Sequence, residues 1–185
     1  MPLTKPSPRN LIHTRDIKSQ GYQRDDGLWD IECRLTDTKT YSFENADRGG
    51  INAGEPIHAM LVRLTIDESL TVHKAEAALD AGPFNLCGDV TGRFDSLAGL
   101  SIGPGWRKAV MQRLGRAKGC THLTDMLLGP MAVTAYQTVA AARSRRESPA
   151  SDGAKPATLD TCHALASDSP VVRKHWPRFY TGEKK

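Results

Sequence analysis

The sequence contains few aromatic residues and no long hydrophobic run. Aromatic side chains make up 6% of the 185 residues, so a platform on which nucleic-acid bases stack is not expected. No apolar run approaches the roughly 20 residues that a membrane span requires. Pro2, Pro6 and Pro8 interrupt the start, where a secretory signal would lie. We therefore expect a cytoplasmic protein that binds neither nucleic acid nor membranes.

Cysteine is scarce as well, and the common binding fingerprints are missing. The four cysteines contain no Cys-x-x-Cys pair, and in a cytoplasmic protein they are expected to be reduced thiols. The glycines before residue 106 are not followed by the Gly-Lys-Ser/Thr of a phosphate-binding loop. The net charge of +4 is spread along the chain, so no broad basic face for nucleic acid is indicated.

Alternating apolar and polar residues predict strands in the N-terminal half. From Leu28 to Leu35 one face is apolar and the other charged, with the period of two that a strand has. Residues 36–39 are expected to turn the chain into a second strand that carries Tyr41 and Phe43. Residues 57–66 form the strongest strand pattern, and a further strand begins near residue 70. Such hairpin connections indicate a largely antiparallel sheet.

Helical patterns follow in the C-terminal half. Residues 75–81 are expected to form a short helical turn, and residues 84–98 are weakly helical. A helix is predicted over Trp106–Leu114, and a longer one from Thr121 to about residue 146, kinked at Pro130. Strands followed by helices indicate an α+β fold, with a largely antiparallel sheet in the N-terminal half packed by C-terminal helices.

The composition also divides the chain into four parts. Residues 1–10 are interpreted as a flexible lead and residues 11–146 as the α+β domain. Residues 147–158 are rich in Ser, Pro, Ala, Asp, Gly and Lys and are interpreted as a linker. Residues 159–185 contain aromatic residues again and are predicted to be a docking segment. Residues 159–180 would then dock on the chain's own domain or form a homo-oligomer.

His58 is the most informative candidate for a functional residue. It is in phase with the apolar face of the strongest strand, at the start of that strand. A polar ring at such a place needs a partner, because unpaired burial costs roughly 1–3 kcal/mol. Two interpretations remain open: a structural histidine that donates to a backbone carbonyl, or a metal ligand or general base beside a glycine-rich loop.

The other histidines, cysteines and one arginine form a second group of candidates. Cys120 and His122 lie at the start of the long predicted helix, where thiolates and other anions are favoured. Arg15 is a candidate clamp for an anionic group, or else the partner of Asp16 or Asp25 in a surface ion pair. Cys87 is either a buried thiol or a metal ligand, and Cys33 is interpreted as a core thiol. His13 lies beside Arg15. Cys162 and His163 are adjacent, so their side chains would need a turn to converge on one ion.

Six motifs together resemble an uncharacterised bacterial family, the domain of unknown function 2889. The resemblance covers about residues 9–180 and implies a loose association with bacterial catabolism of aromatic compounds. The motifs are His13-Thr14-Arg15, Gly27-Leu28-Trp29-Asp30-Ile31-Glu32, Gly54-Glu55-Pro56-Ile57-His58 with Arg63-Leu64-Thr65-Ile66-Asp67, Gly99-Leu100-Ser101-Ile102-Gly103-Pro104-Gly105-Trp106, Gly119-Cys120-Thr121-His122-Leu123 and Asp160-Thr161-Cys162-His163-Ala164-Leu165.

The architecture also resembles that of U-type iron–sulfur scaffold proteins. Their three cysteine ligands would correspond to His58, Cys87 and Cys120, which the resemblance gathers at one end of an α+β sandwich. A histidine replaces the first cysteine here, and Ala59-Met60 stands where the scaffold has Gly-Asp. A zinc or iron site with an open position is therefore more natural than cluster assembly.

These observations favour a small enzyme of the lyase or hydrolase type that acts on an organic metabolite, aromatic or carboxylated. Its catalytic residues would be His58, His122, Arg15 and His13. In one mechanism a zinc or iron ion polarises an oxygen or activates water. In the other, without a metal, a histidine takes a proton while Arg15 stabilises negative charge. The metal ligands in the first case would be His58, Cys87, Cys120 and His122.

Two other classes of function remain open. One is a metal or iron–sulfur carrier or accessory protein, in which Cys87 and Cys120 would both be needed to retain the metal. The other is a non-catalytic regulatory or interaction module, in which residues 159–180 would be the docking piece.

Overall fold

A four-stranded antiparallel sheet forms the N-terminal half of the protein. The computed structural model describes residues 3–146, 155–156 and 158–182. Strands β1 (His13–Gln23), β2 (Trp29–Lys39), β3 (His58–Ile66) and β4 (Val72–Ala81) pair in sequence order, each antiparallel to the next. This arrangement, with helices in the C-terminal half, confirms the predicted α+β class.

The strands differ from the sequence-based expectation in three places. β1 was not predicted, because its exposed sequence lacks the apolar alternation of a half-buried strand. The expected turn at residues 36–39 is instead the end of β2, and Phe43 makes only an isolated bridge with Ile51. The expected helical turn at residues 75–81 is part of β4, because pairing with β3 outweighs the helix propensity of its alanines.

One face of the sheet carries the core. Alternate residues of β2 and β3 are almost fully buried there, and they pack against the helices that follow. Burying each of these side chains contributes roughly 1.5–3 kcal/mol. The sheet residues in this layer are Trp29, Ile31, Cys33, Leu35, Met60, Val62, Leu64 and Ile66. The opposite face bears charged pairs such as Arg63 with Glu32.

The helices begin with a 3-10 segment, Asn85–Leu97, which packs against β4. Helix α1 (Trp106–Leu114) follows. The long predicted helix consists of α2 (Thr121–Met126), a π-helical turn over Leu127–Met131 and α3 (Ala132–Arg146). The π-helical turn contains Pro130, which has no N–H to donate, and a wider turn is a known way for a helix to accommodate such a residue.

A second compact unit, Ser144–Lys185, is distinct from the first, Met1–Arg143. Within it, Ser169 caps α4 (Pro170–His175) by accepting a hydrogen bond from the Val172 N–H. Short 3-10 turns lie at His163–Leu165 and Pro177–Phe179. Of the predicted linker, residues 147–154 and 157 lie outside the described part of the chain. No helix among the described residues has both the length and the apolar character needed to cross a membrane.

Candidate functional site

The registers of three strands set Arg15, Asp37 and His58 side by side. Asp37 is the direct cross-strand partner of Arg15 on β1 and of His58 on β3. It continues the buried face of β2 after Cys33 and Leu35, so its carboxylate points to the core side, and the side chain is 1% exposed. A buried carboxylate is costly unless charged or hydrogen-bonding partners surround it.

Asp37 has such partners on both sides. The Arg15 guanidinium donates from Nε to Oδ1 and from Nη2 to Oδ2, each at 2.7 Å. His58 Nδ1 lies 2.9 Å from Oδ2, and His13 Nε2 lies 3.3 Å from Oδ1. Burial alone would raise the pKa of Asp37, but its contacts with Arg15 and His58 outweigh burial and lower it. Asp37 is therefore a carboxylate anion at neutral pH.

His58 is a neutral imidazole whose second nitrogen has no hydrogen-bond partner among the described residues. Burial lowers its pKa, and the hydrogen bond and charge of Asp37 oppose this shift without cancelling it. A neutral ring beside a carboxylate donates from Nδ1 to Asp37, an assignment that follows from the hydrogen-bond network. The other nitrogen, Nε2, then carries a lone pair. Such a lone pair can accept a proton or bind a metal.

His122 stacks on His58. The ring centroids are 4.0 Å apart and the rings are tilted by 43°. Burial lowers the pKa of His122, and the charge that His58 carries when protonated and the charge of Arg15 lower it further. Residue 122 lies in the first turn of α2, and Cys120, which directly precedes that helix, places its Sγ 3.6 Å from His122 Nδ1. Two neutral imidazoles and a thiol thus lie beside the Asp37 carboxylate.

The structure brings together five of the residues singled out from the sequence. His13, Arg15 and His58 contact Asp37, while His122 and Cys120 extend the group. The partner of Arg15 is therefore Asp37, and neither of the acidic residues considered from the sequence. His58 is bonded to a carboxylate rather than to a backbone carbonyl.

The cysteines at 33, 87 and 162 lie elsewhere. Cys33 is fully buried in the sheet core, as predicted, and burial raises its pKa to about 11. Cys87 belongs to the 3-10 segment, where it is half-buried next to Gly82. Cys162 and His163 belong to the second unit, and the Cys162 thiol is exposed.

Sequence reasoning missed Asp37. Its segment has the composition of a turn, but the apolar alternation of β2 includes it, since Cys33 and Leu35 are two and four residues before it. Extending the period of two to an acidic residue on the core face would have identified it as a buried carboxylate that needs a cationic partner.

A metal ion has one candidate group of ligands among the described residues. One ligand atom each from Asp37, His58 and His122 lies within 4.8 Å of the others, and neither Cys87 nor Cys120 belongs to this group. However, four contacts already surround the two oxygens of Asp37. A carboxylate offers about four lone-pair positions, so an ion bound to Asp37 would have to displace one of these partners.

The comparisons with known proteins identify a family without an assigned activity. A search of curated proteins finds no match, and a search of solved structures finds none either. The family described as "Protein of unknown function (DUF2889)" matches residues 13–137. This region starts at His13 and contains the whole Asp37 site, including Cys120 and His122. The chain therefore belongs to the DUF2889 family.

Proposed function

We propose that this chain is a small enzyme of the lyase or hydrolase type in which His58 is the general base. The observation that supports this proposal is the 2.9 Å contact between His58 Nδ1 and the buried carboxylate of Asp37. A carboxylate in this position fixes the tautomer and orientation of the ring and stabilises the imidazolium that forms when Nε2 takes a proton. Its substrate would be an organic metabolite, aromatic or carboxylated, and its location the cytoplasm.

The chemistry divides among four side chains. His58 takes a proton at Nε2, from water that attacks the substrate in a hydrolase or from the substrate itself in a lyase. Asp37 stays ionised and compensates the new positive charge. The imidazolium of His58 then returns this proton from Nε2 to the leaving group, while the neutral ring of His122 lies against it and can hydrogen-bond the same group. Arg15 uses Nε and Nη2 for Asp37, so Nη1 remains as a donor for an anionic group of the substrate.

The test is a substrate screen combined with matched variants. The purified 185-residue chain is incubated with hydroxylated and methoxylated benzoates, phenylacetates and cinnamates, and consumption is followed by absorbance and mass spectrometry. We expect turnover of at least one compound, with a loss of about 10²- to 10⁴-fold in His58→Gln. Asp37→Asn keeps the shape of the side chain and should lose most of the rate as well.

His73→Gln is the control, because His73 also contacts a carboxylate, Asp67, at 2.8 Å but lies in an exposed position. This variant should keep the full rate. The proposal fails if no compound in the panel is consumed, or if His58→Gln turns over substrate as fast as the unchanged protein.

A second candidate is a metal centre at Asp37, His58 and His122, which the proximity of their ligand atoms favours. Two imidazoles and one carboxylate suit zinc or ferrous iron and leave positions open for water or substrate. Protein treated with chelator would be titrated with Zn²⁺ and Fe²⁺ by calorimetry. One equivalent of tightly bound ion, lost in His122→Gln, supports the centre. An absence of binding, with catalytic activity that survives the chelator, rules it out.

A further inference from the structure

Strand β1 is an open edge of the sheet. It has only β2 as a neighbour, and nine of its 11 residues are exposed. The opposite edge differs, because β4 packs against the 3-10 segment Asn85–Leu97 and its start is bonded to Gly99 and Leu100. A long uncovered strand presents unpaired backbone groups that can bind another strand.

The backbone N–H and C=O groups of β1 alternate along the strand between those that bond to β2 and those that point away from the sheet. The Thr40 N–H donates to the Ile12 carbonyl, so Ile12 and every second residue after it are the ones bonded to β2. The N–H and C=O groups of the alternate residues point away from the sheet. They show no backbone bond to another element within the described part of the chain. The residues concerned are His13, Arg15, Ile17, Ser19, Gly21 and Gln23.

The side chains along the edge are also unusual for a solvated strand. Ile12 is 51% exposed, Ile17 44% and Tyr22 43%. Asp16 and Lys18 make no ion pair with any described residue, although most charged residues on the other three strands do. We propose that β1 binds β1 of a second copy of this chain in antiparallel orientation, centred on Ile17, so that the two sheets become one sheet of eight strands.

Charge selects this register over its neighbours. Outward-pointing residues must face outward-pointing residues, so the centre of a symmetric pairing falls on a residue and not between two. The residues at or next to the middle of β1 are 16, 17 and 18. A centre at Asp16 sets two aspartates opposite each other, and a centre at Lys18 sets two lysines opposite each other. Only the centre at Ile17 sets Asp16 of each copy opposite Lys18 of the other, twice. Like charges directly opposite destabilise a strand pair, and unlike charges stabilise it.

The same register matches the remaining side chains. Ile12 of one copy faces Tyr22 of the other, in the type of pair whose side chains approach most closely. On the other face, His13 and Arg15 lie opposite the partner's Gly21 and Ser19, the two smallest residues of the strand. The partner strand would therefore cover the exposed sides of two residues that hold Asp37. This inference does not depend on the proposed enzymatic function.

The decisive experiment is a charge exchange followed by sedimentation. The 185-residue chain should sediment at twice its 20.2 kDa mass at micromolar concentration. Asp16→Lys sets lysine opposite Lys18 at two places, and the dimer should dissociate at least about tenfold more readily. The double variant Asp16→Lys/Lys18→Asp restores two unlike pairs only in the register centred on Ile17, so it should recover the dimer.

A carbodiimide cross-link locates the contact. In a mixture of ¹⁵N-labelled and unlabelled protein, mass spectrometry should find an amide between Asp16 of one isotope and Lys18 of the other. The control for charge alone is Lys108→Asp, an exposed position on α1, which should leave the dimer unchanged. The proposal is wrong if the protein is a monomer, if the double variant stays as dissociated as Asp16→Lys, or if removing residues 159–185 abolishes a dimer that Asp16→Lys does not weaken.

Discussion

Nδ1 of His58 lies 2.9 Å from Oδ2 of Asp37, and the two residues are direct cross-strand partners. Arg15 is the partner of Asp37 on the other side. The carboxylate of a single buried residue therefore connects three strands, and it opposes the effect of burial on the pKa of His58.

The first prediction concerns the pKa of His58. Asp37 opposes the effect of burial on this ring, so Asp37→Asn should lower the pKa of His58 further below its usual 6.5. Imidazole ¹⁵N chemical shifts followed against pH measure this change. Asp67→Asn removes the carboxylate from His73 instead and should leave the His58 titration where it is. An unchanged or higher His58 pKa in Asp37→Asn would show that the carboxylate does not stabilise the imidazolium.

The second prediction concerns stability in mild acid. His58 and His122 both have pKa values below 6.5 in the folded protein, so the unfolded chain binds more protons. The free energy of unfolding should therefore be at its plateau above pH 6.5 and fall as the pH drops below it. Urea unfolding between about pH 7.5 and about pH 5 measures the slope. Replacing both histidines with glutamine should make it shallower, and an equal slope in that variant would contradict the assignment.

The third prediction compares two arginines with the same hydrogen-bond geometry. Arg15 and Arg24 each use Nε and Nη2 on both oxygens of an aspartate, but Asp37 is 1% exposed and Asp26 is 50% exposed. Arg15→Met leaves a buried carboxylate short of two bonds and should cost about 1–3 kcal/mol of unfolding free energy. Arg24→Met should lower the unfolding free energy by less than Arg15→Met does, because water solvates both partners of this exposed pair. Equal costs would mean that water reaches Asp37.

The fourth prediction tests the contact between β1 and α3. A methyl group at Gly21 would overlap the side chain of Thr138, so the strand can approach the helix only because residue 21 lacks a Cβ. Gly21→Ala should lower the unfolding free energy by about 1–3 kcal/mol. Adding Thr138→Ala should recover part of this loss. Gly88→Ala meets no atom within 4 Å and serves as the control. A neutral Gly21→Ala would show that β1 moves freely relative to α3.

Much of the sheet could be predicted because its strands are half-buried. The apolar alternation of residues 28–35 and 57–66 identified the centres of β2 and β3 and the inward phase of His58. β1 could not be found in this way, since it lies at an edge where neither face is consistently apolar. The alanines of β4 favour a helix in isolation, and only the neighbouring strand makes them extended.

The site itself depended on contacts that are distant along the chain. Asp37 is 22 residues from Arg15 and 21 from His58, and no local pattern connects these positions. The sequence by itself determined which face of β3 is buried and that a histidine begins it, because period and side-chain chemistry are local properties. The strand registers and the packing of α2 on the sheet decided that this histidine meets a carboxylate and a second imidazole, since those contacts exist only once the chain has folded.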